Sequence, residues 1–129
     1  MSKLIRQRVT FKAAPHAVYE ALMDSRKHAK FTNGGAKISR KVGGEIMAFD
    51  GYITGRNLEL VPDQKIVQAW HASEWDEGHM SKVTFKLSPV AAVTRLNFTH
   101  SNVPDKFVED IRQGWIDNYW EPMKVMLNK

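Results

Sequence analysis

The sequence contains no cysteine among its 129 residues, which excludes a disulfide framework, thiolate metal sites and a cysteine nucleophile. It has no apolar run near the ~20 residues that span a bilayer, so no membrane segment is expected. Nor does the segment Met1-Ser2-Lys3-Leu4-Ile5-Arg6 carry the apolar stretch of a signal peptide. Both absences lead to the expectation of a cytoplasmic protein. The five histidines (His16, His28, His71, His79, His100) do not fall at metal-ligand spacing, and no HExxH occurs. A phosphate-binding GxGxxG or GK[ST] loop and a GxSxG nucleophile elbow are missing too. The carboxylates of the middle region, Glu45, Asp50, Glu59, Glu74, Asp76 and Glu77, fall mostly at expected turns and strand ends, where they form turns and aid solubility. The residues therefore offer no catalytic constellation, metal site or cofactor motif.

Acidic residues are scarce in one part of the chain. Residues 1–41 hold ten Lys and Arg against two acids, Glu20 and Asp24, within a net charge of +5. Such an imbalance makes a solvated basic face or a docking surface for an acidic partner. The basic residues are dispersed and no nucleic-acid motif accompanies them, so nucleic acid is not an expected partner.

What is present is a clear alternation of elements. Residues 4–12 alternate imperfectly and carry β-branched residues, as in a strand. Pro15 then suits the first turn of a helix, where its missing N–H costs nothing. A second short helix is predicted over 25–31, capped by Asp24 or Ser25 and stopped by Asn33-Gly34-Gly35. From there to about residue 100 the pattern is a meander. Strands over 36–42 and 45–49 join at Gly43-Gly44, and Asp50-Gly51 marks a turn or a bulge. Strands over 52–61, 65–73, 81–87 and 93–100 follow, the first pair broken at Pro62-Asp63. In 65–73 the alternation sets Val67, Ala69 and His71 on one face and Ile66, Gln68 and Trp70 on the other.

A last helix is predicted from Val103-Pro104 to about Leu127, with Val108, Ile111, Trp115, Tyr119, Met123 and Met126 on one broad face. Asp110, Asp117, Glu121 and Lys124 fall opposite. So wide a stripe suits a helix laid across a sheet. The order β-α-α-β(6)-α gives an α+β fold: a curved antiparallel sheet of six to seven strands around a long C-terminal helix. One domain over residues 1–129 is expected.

The aromatic residues are the most informative set. Many would be ordinary core, but Trp and Tyr need partners for their polar tips when buried, and an apolar pocket with a few such tips is the usual form of a small-ligand site. The candidate ligand-binding residues are Phe31, Tyr52, Trp70, His71, Phe85, Phe98, His100, Trp115 and Tyr119. Trp115 and Tyr119 would form the helical wall, opposite Trp70, Phe85 and Phe98. His71 and His100 are the polar candidates, although His71 equally suits the solvent face.

The run from Phe49-Asp50-Gly51-Tyr52 through Leu60-Val61-Pro62 resembles the family named for the activator of the heat-shock protein 90 ATPase. So do Lys65-Ile66-Val67-Gln68-Ala69-Trp70, Trp75 with Gly78-His79, and Gly114-Trp115 with Tyr119-Trp120 and Pro122. Gly43-Gly44-Glu45 sits where that family has its Val-Gly-Gly turn, whereas His71 stands where relatives often carry Arg. The resemblance spans essentially the whole chain and implies the START-like (SRPBCC) helix-grip fold. It implies less about function, since START-like domains include lipid and hormone binders, cyclases and chaperone regulators. In the eukaryotic co-chaperone much of the activity belongs to a separate N-terminal domain, for which a sequence of 129 residues offers no room.

The leading expectation is a non-enzymatic domain that binds an apolar small molecule in the sheet–helix cavity, docks on a heat-shock protein 90-type chaperone, or does both. The alternatives are a cyclase or dehydratase-type enzyme using a cavity His or carboxylate, and a homodimeric scaffold. Monomer and homodimer both remain open.

Overall fold

A computed structural model describes residues 2–128. Its elements run β1 (Ser2–Phe11), α1 (Pro15–Met23), α2 (Ser25–Thr32), β2 (Lys37–Ile38), β3 (Glu45–Ala48), β4 (Ile53–Val61), β5 (Lys65–Ala72), β6 (Ser81–Val90) and β7 (Val93–Pro104). A helix then completes the chain in three stretches: α3 (Val108–Trp115), a wider π turn (Ile116–Trp120) and α4 (Glu121–Leu127). The strands form a single antiparallel sheet in the order β1-β7-β6-β5-β4-β3-β2. This is the α+β helix-grip arrangement expected from the sequence.

Alternation decides which face of the sheet turns inward. Ile5, Val9 and Phe11 of β1, Ile66, Gln68, Trp70 and Ala72 of β5, Val83, Phe85 and Leu87 of β6, and Leu96, Phe98 and His100 of β7 are all buried. Some of the intervening positions, such as Lys82 and Lys86, stay exposed. Burying each large apolar side chain is worth about 2 kcal/mol.

Local chemistry explains the short helices. Pro15 occupies the first turn of α1, and the carbonyl of Ala14 accepts from Ala17 and Val18. Asp24 caps α2 by accepting the N–H of Lys27 at 3.0 Å, and Asn33 ends it in the left-handed region at φ 57°.

Two expected boundaries are corrected, and the open choice at Asp50-Gly51 is decided as a turn. The strand foreseen over 36–42 shrinks to Lys37–Ile38, because residues after it fold around Asn57 instead of pairing. Asp50-Gly51 belongs to a 3₁₀ turn, Phe49–Gly51, in which both Phe49 (φ 52°) and Asp50 (φ 58°) are left-handed. The last helix begins at Val108 rather than at Val103-Pro104: those two residues still pair with β1, and a 3₁₀ turn over Asp105–Phe107 intervenes.

The π turn has a cause in the sequence. Pro122 has no N–H to donate one turn back, and its ring crowds the preceding turn of an α-helix. The backbone widens ahead of it, and Glu121 N–H donates to Ile116, five residues back. The extra residue in that turn brings Trp115, Tyr119 and Trp120 inward together, all three buried.

Candidate functional site

Between the sheet and the long helix lies a cavity of about 220 Å³. Its sheet wall is built by Ile53, Trp70, Ala72 and His100, and its helix wall by Ile111, Gly114, Trp115 and Tyr119. Small residues make the space: Gly114 has no side chain there, and a Cβ built on it would meet only the Asn118 amide, at 3.7 Å. The aromatic walls are in mutual contact, with ring centroids 4.9 Å apart for Trp70–Trp115 and 4.4 Å for Trp115–Tyr119.

Each polar tip in this wall has a partner, and three buried networks result. Trp115 Nε1–H donates to His100 Nδ1 at 3.1 Å, which places the His100 proton on Nε2. That Nε2–H donates to Ser81 Oγ at 2.7 Å, and the Ser81 hydroxyl donates to the Trp70 carbonyl at 3.1 Å. In the second network, Tyr119 O–H donates to His28 Nε2 at 2.8 Å, while His28 Nδ1–H donates to the Leu22 carbonyl at 3.0 Å. In the third, Trp70 Nε1–H donates to Gln68 Oε1 at 2.9 Å, and Gln68 Nε2–H donates to Asn57 Oδ1 at 3.0 Å. Asn57 in turn holds the Ser39 and Lys41 carbonyls. Among the described residues no fully buried side-chain nitrogen or oxygen lacks a partner.

Burial sets the protonation of these groups, because it penalises the charged form. The pKa of His100 falls to about 3 and that of His28 also drops, the latter opposed in part by its bond to Leu22. Burial drives the Tyr119 phenol well above its ordinary value. The mouth is different in character. There the exposed Tyr52, Glu74, Asp110 and Asn118 and the half-buried Phe49 and Phe107 line the opening, with Trp75 buried beside them. Tyr52 O–H donates to the Glu74 carboxylate. Partial burial, that bond and the negative charges of Glu74 and Asp110 push the Tyr52 phenol up to about 12.

A family model described as Activator of Hsp90 ATPase homolog 1-like protein matches residues 12–128. The chain belongs to this family. The human protein named Activator of 90 kDa heat shock protein ATPase homolog 1 is 30% identical over 115 residues, covering 89% of this chain but 34% of the relative. The chain thus spans about a third of the length of that curated relative. A crystal structure of an HSP90 activator from Plasmodium falciparum superposes with a TM-score of 0.87 at 28% identity, covering 98% of this chain and 95% of the other. A protein from Chromobacterium violaceum gives a TM-score of 0.82 at 25% identity, with 98% and 97% covered.

Within this family member, the nine candidate residues fall into three groups. Tyr52, Trp70, His100, Trp115 and Tyr119 line the cavity. Phe85 and Phe98 pack behind Trp115, and Phe31 packs against Tyr119, so these three belong to the core that supports the wall. His71 is placed elsewhere: strand alternation turns it to the other face of β5, where it bonds the His79 carbonyl at 2.8 Å. Sequence reasoning set Glu74 aside as a turn residue and Asp110 on the polar side of the helix, yet both stand at the mouth. It assigned no role to His28 or Asn57. Pro122 was the available signal, since it implies a widened turn and hence a rotation of Tyr119.

Proposed function

We propose that this chain is a non-enzymatic helix-grip domain, one unit over residues 1–129, that binds and regulates a chaperone of the heat-shock protein 90 class in the cytoplasm. The observation that carries this reading is the Plasmodium comparison. There, a protein described as an HSP90 activator is matched along 95% of its solved chain, leaving little beyond the shared fold. The excess of Lys and Arg in residues 1–41 supports it by offering a surface for an acidic partner. The test is a pull-down with heat-shock protein 90 together with its ATPase rate. Binding with a changed rate is expected; absence of both overturns the reading. Sedimentation velocity of the free protein distinguishes monomer from homodimer.

A second reading, favoured by the cavity that Trp70, Trp115 and Tyr119 line, is that it binds an apolar small molecule. Protein cores are packed with few voids, and apolar cavities of ~150 Å³ hold benzene. At about 220 Å³ the space suits a ring-sized compound rather than a long lipid. Titration of single-ring and lipid compounds against the Trp signals tests it, with saturable binding of the smaller ones expected. Cyclase-type catalysis through His100 is disfavoured, because that histidine of the cavity wall has both nitrogens committed and is held neutral.

A further inference from the structure

The cavity carries charge of one sign. Glu74 and Asp110 stand at its mouth, both exposed, and no Lys or Arg among the described residues lines it. In a chain of net charge +5 with nineteen Lys and Arg, that is a local reversal. The ion pairs among the described residues engage Glu20, Glu59, Asp63, Glu109 and Glu121, and neither mouth carboxylate has a basic partner there. The Tyr52 phenol ties the two together, bonding Glu74 and feeling the charge of Asp110. Below this rim the walls include the aromatic rings of Trp70, Trp115 and Tyr119.

An aromatic cup beneath carboxylates attracts a cation twice, through the ring quadrupoles and through the full negative charges. For a carboxylate or phosphate ligand the same mouth is repulsive, with no base to offset it. We propose that the cavity takes a small organic cation: a primary or methylated ammonium on a ring-sized apolar body, the body against Trp70, Trp115 and Tyr119 and the ammonium between Glu74 and Asp110. This rests on the reading of the cavity as a ligand site and adds the charge of the ligand to it.

Three probes of one shape and different charge test it: phenethylamine, phenethyl alcohol and hydrocinnamate, titrated at neutral pH while NMR follows the indole N–H signals. The amine is expected to bind about tenfold more tightly than the alcohol, with hydrocinnamate weakest. In the Glu74→Gln/Asp110→Asn double variant the advantage of the amine disappears while the alcohol still binds, which also shows that the variant is folded. Should the double variant fail to fold, Asp110→Asn alone is expected to weaken the amine and spare the alcohol. If the wild-type protein binds the alcohol or hydrocinnamate as well as the amine, the cation assignment falls and the ligand site stands. If none of the three binds, both fall.

Discussion

His100 Nδ1 accepts the indole N–H of Trp115 at 3.1 Å, joining the last strand of the sheet to the helix laid across it. The acceptor role requires that nitrogen to be unprotonated. Adding a proton there would turn it into a donor facing a donor, inside the core.

Stability should therefore fall with acid. The unfolded chain protonates His100 near the ordinary 6.5, whereas the folded chain does so only at about 3. Between these values the unfolded state binds more protons, so this contribution is fully present above pH 6.5 and is lost as pH falls toward 3. The slope is about 1.4 kcal/mol per pH unit for one such histidine, and His28 acts in the same direction. Denaturant midpoints should drop steadily below neutrality. A flat profile down to about pH 4 would contradict the buried neutral histidine.

Removing the Tyr119 hydroxyl should cost more than a surface change. Tyr119→Phe leaves His28 Nε2 buried without its donor, a loss of about 1–3 kcal/mol. Equilibrium unfolding of the variant measures it, and an unchanged midpoint would show that the pair contributes nothing.

Gly55 permits a close approach between strands. It lies opposite Trp70 in the β4–β5 pairing, and a Cβ on it would stand 1.8 Å from the Ala69 carbonyl oxygen. Gly55→Ala must push β4 away from β5 beside the cavity, at a cost of about 3 kcal/mol or more. Thermal unfolding should show a large drop; a wild-type Tm would refute the contact.

Asn57 connects the 39–44 loop to the cavity wall. Its amide bonds the Ser39 and Lys41 carbonyls at 2.6 and 3.0 Å, and its oxygen accepts from Gln68, the partner of Trp70. Asn57→Ala should destabilise the protein by about 2–3 kcal/mol. It should also speed hydrogen exchange in residues 39–44 and shift the Trp70 indole N–H signal. Exchange as slow as in the parent protein would show that the loop holds itself.

Much of the fold was legible because it rests on periodicity. The two-residue alternation of β5 already put Trp70 and Gln68 on one face and His71 on the other, and the structure keeps that division. The same rule could not say which face met the helix, so His71 stood as a candidate until the sheet's curvature was known. The stripe on the last helix was legible for the same reason. Its start was not, because Val103 and Pro104 are held by pairing with β1, a contact across nearly the whole chain.

What the sequence determined by itself was the set of elements, their order and the inward stripe of aromatics, since each follows from local period, turn chemistry and caps. Only the tertiary structure decided that Glu74 and Asp110 share a mouth, that His28 serves Tyr119 and that Asn57 supports Trp70. Those partners come from separate elements, joined when the sheet curls around a helix that Pro122 has widened by one residue. Spacing along a chain carries the geometry of one element, but the meeting of side chains from several depends on how those elements pack.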